Sequence, residues 1–221
     1  MPSYTAVVAG ATGLVGSACL DALLRSSDCT RVTALVRRPL ATQHEKLTEM
    51  LTAGHHLPAL HPMTGGAVFC ALGTTIRKAG SQEAFREVDF HYPLRLAQAA
   101  REAGASTMAV VSSVGANPTS SNFYLRVKGE LEEELKKLHF DALHIFRPSI
   151  LLGRRDENRP GERVASMFSR AFQWTLVGEM AKYRPIPAMD VGNAMVTAVQ
   201  DGKTGVHIYH FSSIRELCVA M

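Results

Sequence analysis

The chain predicts an α/β fold built on a single doubly wound parallel sheet with a shortened third βα region. Apolar strand-like runs alternate with helical patterns from the first residues onward, as in a parallel sheet covered on both faces. A glycine turn, Gly10-Ala-Thr-Gly13-Leu-Val-Gly16, joins the first run to the first helical pattern. No linker, repeat or low-complexity tract divides the 221 residues, so residues 1–221 are expected to form one domain, with a small substrate-side portion from about 150.

The elements follow in order. Tyr4–Ala9 reads as a buried strand and Leu14–Arg25 as a helix with apolar residues at helical spacing. Arg31–Val36 is a second strand, rich in β-branched residues, and Ala67–Leu72, Thr107–Ser112 and Ala142–Arg147 are three more. Helical patterns cover 82–103 and 121–138, with weaker ones over 41–52, 162–173 and 189–200. Right-handed crossovers reduce the arrangements to a doubly wound sheet. Residues 53–66, AGHHLPALHPMTGG, are too short and too interrupted by Pro and Gly to hold both a third strand and its helix. A short or irregular third strand is expected there.

The composition is that of a globular domain: 46% hydrophobic and 20% charged, with a net charge of +4. That charge is too mild to suggest a nucleic-acid surface. No apolar run reaches the length of a bilayer span, and MPSYTAVVAG lacks the basic start of a signal peptide. Cys19, Cys29, Cys70 and Cys218 show no metal-binding spacing, and Cys19 and Cys70 lie in apolar segments suited to buried thiols. A cytoplasmic protein with no nucleic-acid or membrane partner is the expectation.

The glycine turn points to a dinucleotide. Gly10 permits a tight strand-to-helix turn, Gly13 lets the backbone approach a pyrophosphate, and Gly16 lets the helix pack closely on the sheet. The helix start then presents free N–H groups and a positive dipole end to the phosphates. An acidic residue at the end of the second strand would select NAD(H) through the ribose hydroxyl, but Val36-Arg37-Arg38-Pro39 stands there. Arginine pairs with a 2′-phosphate and stacks on adenine, so NADP(H) is expected rather than NAD(H). Two solvated arginines at a strand end are the plainer alternative.

Tyr124 and Lys128 lie four residues apart on the pattern at 121–138, so a helix projects them together. A nearby ammonium favours the phenolate, making Tyr124 a candidate proton donor or acceptor. The strand ending in Val111-Ser112-Ser113 comes about a dozen residues earlier, and either serine could bind the substrate oxygen. With 5 Tyr and 7 Lys in the chain, chance gives roughly 0.16 such Tyr–Lys pairs, so the pair means little without the serines and glycine turn. The helix end from Glu130 onward, with Glu132-Glu133-Glu134 and Lys136-Lys137, reads as a solvated face.

GATGLVG, SSVGA and YLRVK resemble the short-chain dehydrogenase/reductase superfamily. FCALGTTIRKAGSQEAFREVD, SSNFYLRVKGELE and FRPSILLGRRDENRPGE are similar to its atypical branch containing the Tat-interacting protein and bacterial relatives. The resemblance spans roughly residues 5–165, and RPIPAMDVGNAM adds a segment like that of extended members. It implies an NADP-binding Rossmann fold with a Ser-Tyr-Lys set: Tyr124 and Lys128, with Ser112 or Ser113. By position it implies cofactor contacts at Gly10, Thr12, Gly13, Leu14, Val15 and Gly16, at Arg37 and Arg38, at Leu72 and Gly73, and at Leu151 and Arg159 on the nicotinamide side. Lys128 would also hold the nicotinamide ribose, and Tyr124 would lie beside the cofactor. Two features depart from what the resemblance implies. The shortened 53–66 region removes much of the third strand and the loop that usually carries an acidic adenine contact, and the large C-terminal substrate lobe of sugar epimerases is lacking.

His55, His56 and His61 have no acidic or cysteine partner at a recognisable spacing and read as loop residues. His207 and His210 sit within a short apolar strand, Val206–Phe211, in ordinary structural roles, and Trp174, Phe168 and Phe172 read as a core or lid face. The leading reading is an NADP-dependent oxidoreductase acting on a small carbonyl or alcohol substrate. A dinucleotide-sensing binding protein with a protein partner is the second, and a sugar epimerase or dehydratase the third. A monomer and a homodimer paired through the two long helices both agree with the sequence. In a dinucleotide titration NADP is expected to bind more tightly than NAD, and Arg37→Glu to erase that preference. Tighter NAD binding, or an unchanged preference in the variant, would refute the assignment.

Overall fold

The turn after the first strand sets the geometry of everything downstream. In the computed structural model, which describes residues 3–54, 56–153 and 178–219, β1 (Tyr4–Ala9) feeds α1 (Leu14–Arg25) through Gly10, whose φ of 88° suits glycine. A Cβ on Gly16 would lie 2.0 Å from the Gly10 carbonyl oxygen, so only glycine lets α1 start this close to the strand. The helical prediction over 162–173, Arg159, His55, and the aromatic set of Phe168, Phe172 and Trp174 lie outside the described residues.

The other strands are β2 (Cys29–Val36), β3 (Leu47–Leu51), β4 (Ala67–Cys70), β5 (Thr107–Val111), β6 (Ala142–Phe146) and β9 (Gly205–Tyr209). With β1 they form a seven-stranded sheet in the order β3-β2-β1-β4-β5-β6-β9, every pair parallel. The order reverses between β1 and β4, and a crevice at the carboxyl ends of the strands is where such sheets bind ligands. A separate pair joins β7 (Leu151–Leu152) to β8 (Ile186–Pro187).

The helices are α2 (Ile76–Ala79), α3 (Gln82–Arg86), α4 (Tyr92–Glu102), α5 (Phe123–Lys136), α6 (Ala188–Gln200) and α7 (Phe211–Val219). Alternation along β1 divides the core. Ala6 and Val8 face a cluster shared with Leu20 and Leu23 of α1, Val191 and Met195 of α6 and Ile214 of α7. Val7 and Ala9 face Leu96 of α4 and Leu131 and Leu135 of α5. Each such large aliphatic, fully buried, contributes roughly 1.5–3 kcal/mol before conformational entropy is counted.

The third strand differs from the expectation. Residues 47–51, inside the predicted 41–52 helix, form an edge strand whose Val32↔Leu47 register continues to Val36↔Leu51. Leu47, Met50 and Leu51 fit a helical stripe, but the open edge of β2 supplies backbone partners that a local pattern does not reveal. The described residues of 52–66 form no strand or helix, so the irregular third strand expected there is absent. The pattern at 82–103 is continuous but holds one π-helical turn, Glu87–His91, between α3 and α4.

One buried group makes the sheet sensitive to acid. His144, fully buried on β6, stacks on His207 of β9 (ring centroids 5.5 Å apart), and its Nδ1 lies 3.0 Å from the Tyr209 hydroxyl. Its Nε2 has no hydrogen-bond partner. Burial, with smaller pressure from His207 and Lys203 against Asp201, pulls the imidazole down to about 4. A histidine held neutral in the fold contributes stability that is present above its unfolded value and is lost as pH falls from 6.5 towards 4. Between pH 7 and pH 5 urea unfolding is expected to lose on the order of 2 kcal/mol from this group. His144→Gln should flatten that slope, and an equal slope in the variant would assign the sensitivity elsewhere.

Candidate active site

The site is assembled from the carboxyl ends of neighbouring strands. Beyond β1, the Gly13 N–H is used locally by the Gly10 carbonyl (2.8 Å). The following N–H groups at the start of α1 face outward with no carboxylate in the first turn to neutralise them. Thr12 is exposed and Leu14 half-buried, whereas the Val15 side chain packs in the core and leaves only its backbone for a ligand. A Cβ on Gly10 would lie 2.6 Å from the Ala71 carbonyl oxygen, so the loop after β4 rests on the glycine turn. Leu72 is half-buried and Gly73 exposed in that loop. Arg37 and Arg38 stand exposed past β2, with no ion pair among the described residues. This cradle of close backbone approach, free N–H groups and unpaired guanidinium groups fits a nicotinamide dinucleotide, with its pyrophosphate at α1.

Asn122 caps α5 by accepting from the Leu125 N–H at 3.2 Å. The helix then presents Tyr124, Lys128 and Glu132 at successive i+4 positions. Tyr124 is half-buried, with its ring edge-on to the buried Phe85, centroids 5.8 Å apart. Lys128 is 3% exposed and pairs at 2.8 Å with Asp89 of the π turn, which is fully buried. The other Asp89 oxygen accepts the Thr74 N–H at 2.8 Å. Burial pulls the Lys128 ammonium down, but Asp89 and the nearby Tyr124 outweigh it, so its pKa rises. The ammonium expected to act on Tyr124 and the nicotinamide ribose is therefore shared with a carboxylate, Asp89.

Glu132, expected on a solvated face, is 1% exposed. It accepts both Arg147 Nε (3.0 Å) and Nη2, at the end of β6, and the Ser112 hydroxyl. Buried helix spacing, not surface charge, decides its role. The Ser112 hydroxyl is thereby turned into the structural pair. Ser113 is half-buried, with its hydroxyl 3.3 Å from the Val114 carbonyl. The loop after Ser113 lies directly on α5: a Cβ on Gly129 would be 2.3 Å from Asn117 C and Pro118 N. Leu151, on β7, is half-buried, and Gly153 just beyond it reaches Leu14 of the α1 start.

Asp89, Thr74, Glu132 and Arg147 were not among the residues expected from sequence. Glu132 had a readable signal, four positions past Lys128 and eight past Tyr124. Asp89 had none, because its meaning comes from a contact across 39 residues of chain.

A doubly wound parallel sheet with a glycine turn at the switch point defines a Rossmann-type fold. The sequence profile of the HIM1 family matches residues 33–177, and the chain belongs to that family. It is 35% identical over 203 residues to Protein HTATIP2 of Rattus norvegicus, covering 89% of this chain and 81% of that one. Protein FMP52, mitochondrial, of Candida albicans is 34% identical over 205 residues, covering 90% and 89%. Among solved structures, the Bordetella bronchiseptica enzyme WbmH in complex with NAD+ superposes with a TM-score of 0.67 at 19% identity, over 99% of this chain and 80% of that one. No helix among the described residues is long and apolar enough to cross a membrane.

Removing one member of a buried ion pair strands the other charge. Asp89→Ala is expected to cost about 3–5 kcal/mol in urea unfolding. Asp89→Leu combined with Lys128→Met should recover much of that loss. A double variant as unstable as the single one would show that the pair's charge is not what holds the π turn.

Proposed function

We propose that the chain is an NADP(H)-dependent oxidoreductase of the atypical short-chain dehydrogenase/reductase type, acting on a small carbonyl or alcohol substrate. The observation that carries this reading is the placement of Tyr124 and Lys128 on one helix face, with the lysine held charged beside the loop after β4. When bound, the nicotinamide ring supplies or accepts the hydride at its C4. Tyr124 gives its hydroxyl proton to the substrate oxygen in reduction and takes it back in oxidation. Ser113, whose hydroxyl is free of the Glu132 pair, orients that oxygen, and Ser112 stays structural. Lys128 steadies the phenolate and donates to the ribose, with Asp89 opposing the cost of its burial. Gly10, Gly13 and Gly16, with the N–H groups of Leu14 and Val15, hold the pyrophosphate. Leu72, Gly73 and Leu151 line the cofactor, and Arg37 and Arg38 hold the 2′-phosphate.

The NAD+ bound in WbmH supports a nicotinamide dinucleotide as the ligand class, and the two arginines favour the phosphorylated form. A second reading is a dinucleotide sensor with little turnover. It is favoured by the Asp89 pair, which already satisfies the lysine charge. A cytoplasmic setting is proposed for the activity, although the fungal relative is named mitochondrial, so cell fractionation decides the compartment.

Incubation with NADPH and a panel of aldehydes, ketones and quinones tests the reading. Turnover on at least one substrate is expected, with Tyr124→Phe lowering kcat by about 100-fold or more. Tight NADPH binding without turnover, unchanged in Tyr124→Phe, would move the assignment to the sensor.

A further inference from the structure

The carboxyl ends of β5, β6 and β9 gather more positive charge than the proton chemistry uses. The Val114 N–H donates to the Pro148 carbonyl at 2.9 Å, which lays the chain leaving β6 against the Ser113 loop. The next residue, Ser149, donates its hydroxyl to the Arg184 carbonyl, and the Ile186 N–H donates to Ile150 O at 2.9 Å. Arg184 is thereby fastened two short steps from the serine loop. On the other side, the Arg147 N–H donates to the Tyr209 carbonyl at 2.8 Å and sets His210 at the end of β9 beside Arg147. The Arg184 guanidinium lies 5.8 Å over the ring of Phe211, the residue after His210.

These groups differ in how well they are satisfied. Arg147 is neutralised by Glu132. Arg184 makes no ion pair or side-chain hydrogen bond among the described residues, and its Nε is buried without a partner. His210 Nδ1 is also buried and unpartnered. Lys182, close enough to act on the His210 ring, makes no ion pair among the described residues. Burial first, then Arg147 and Lys182, lower the His210 pKa against the pull of Glu132, which favours the neutral ring. Buried unpartnered donors are costly and uncommon. Arg184 Nε is such a donor, and His210 Nδ1 becomes a second in its Nδ1–H tautomer; in an excess of cations they call for an acceptor that carries negative charge.

We propose that Arg184 and His210, with Lys182 at the rim, form a subsite for an anionic group of the substrate, a carboxylate or a phosphate. The Arg184 fork matches either geometry, while His210 Nδ1 supplies a second, neutral donor once the ring takes that tautomer. The preferred substrates are then oxo acids or phosphorylated carbonyl compounds, a specification that rests on the reductase reading. The anion subsite itself does not rest on it.

The test has a binding arm and a turnover arm. In calorimetry at constant ionic strength, without dinucleotide, inorganic phosphate or benzoate should bind the wild type. Arg184→Met and His210→Gln should each weaken that binding about tenfold or more, and Arg184→Lys should restore part of it. Stronger binding of phosphate assigns phosphorylated substrates, and stronger binding of benzoate assigns oxo acids. In turnover with NADPH, 4-formylbenzoate should show a KM about tenfold or more below that of its methyl ester, and Arg184→Met should collapse this ratio. Equal KM values for acid and ester in the wild type, or anion binding indifferent to both Arg184→Met and His210→Gln, would overturn the proposal. If NADPH binds and no member of the aldehyde, ketone and quinone panel is reduced, the reductase reading fails, while anion binding lost in the variants still upholds the subsite. Unfolding curves of each unliganded variant separate loss of the site from loss of the fold, and His210→Gln keeps the test open if Arg184→Met does not fold.

Discussion

A lysine ammonium at 3% exposure stays charged only if something nearby carries the opposite sign, and in this chain that something is Asp89. The pair joins three parts distant in sequence: α5, the π turn before α4, and the loop after β4 through the Thr74 N–H. An uncompensated charge at either position would cost more than the modest net stability of a domain this size readily absorbs. The π turn is where this contact is made. The extra residue it admits gives Asp89 a local setting that regular i+4 bonding would not, and single π turns recur where a side chain has a special task. The same contact sets the Lys128 ammonium one helical turn from Tyr124, so the fold's most demanding electrostatic contact lies at the centre of its candidate chemistry.

A second pair, the buried Glu132 with the half-buried Arg147, repeats the device one turn further along α5. It anchors the helix to the end of β6 and occupies the Ser112 hydroxyl. With Ser112 committed, Ser113 is the hydroxyl left at that strand end, half-buried and only loosely held by the Val114 carbonyl. Gly129 completes the assembly: its missing side chain lets the serine loop lie on the helix at backbone contact. Helix α5 is therefore held by the Lys128–Asp89 and Glu132–Arg147 pairs, by the more exposed Arg86–Glu130 pair to α3 and by one close approach, and Tyr124 inherits its position from them.

What was legible in the sequence was whatever local pattern or a short motif encodes. Tyr4–Ala9, the glycine turn and Leu14–Arg25 are legible because strand period, turn chemistry and helix period all act within about twenty residues. Edge strand β3 was not legible. Leu47, Met50 and Leu51 satisfy a helical stripe, and only the free edge of β2 decides against it. The two candidate serines could not be separated, because the distinction lies in which hydroxyl meets Glu132. Asp89 was invisible for the same reason: nothing in EVDFHY marks an acid that will bury itself against a lysine 39 residues away. Glu132 was misread because three consecutive glutamates look like solvent, although its spacing from Lys128 matches the helix face turned inward.

The Asp89 and Glu132 pairs also explain how positive charge is distributed across the crevice. Asp89 and Glu132 each neutralise one cation, Lys128 and Arg147, and both are almost wholly buried. Among the described residues, the cations left without a carboxylate include Arg37 and Arg38 at one flank and Lys182 and Arg184 at the other. Buried charge is thus balanced inside the protein, where solvation cannot compensate it, while Arg37, Arg38, Lys182 and Arg184 are left without a carboxylate among the described residues. Field lines from such flanks converge where the low-dielectric walls narrow. A dinucleotide phosphate at the Arg37 end and an anionic substrate at the Arg184 end would each bring the negative charge the protein lacks, with the neutral Tyr124–Lys128–Asp89 centre between them. The asymmetry between a balanced centre and unbalanced flanks suits a site that binds by charge at its edges and moves protons in the middle.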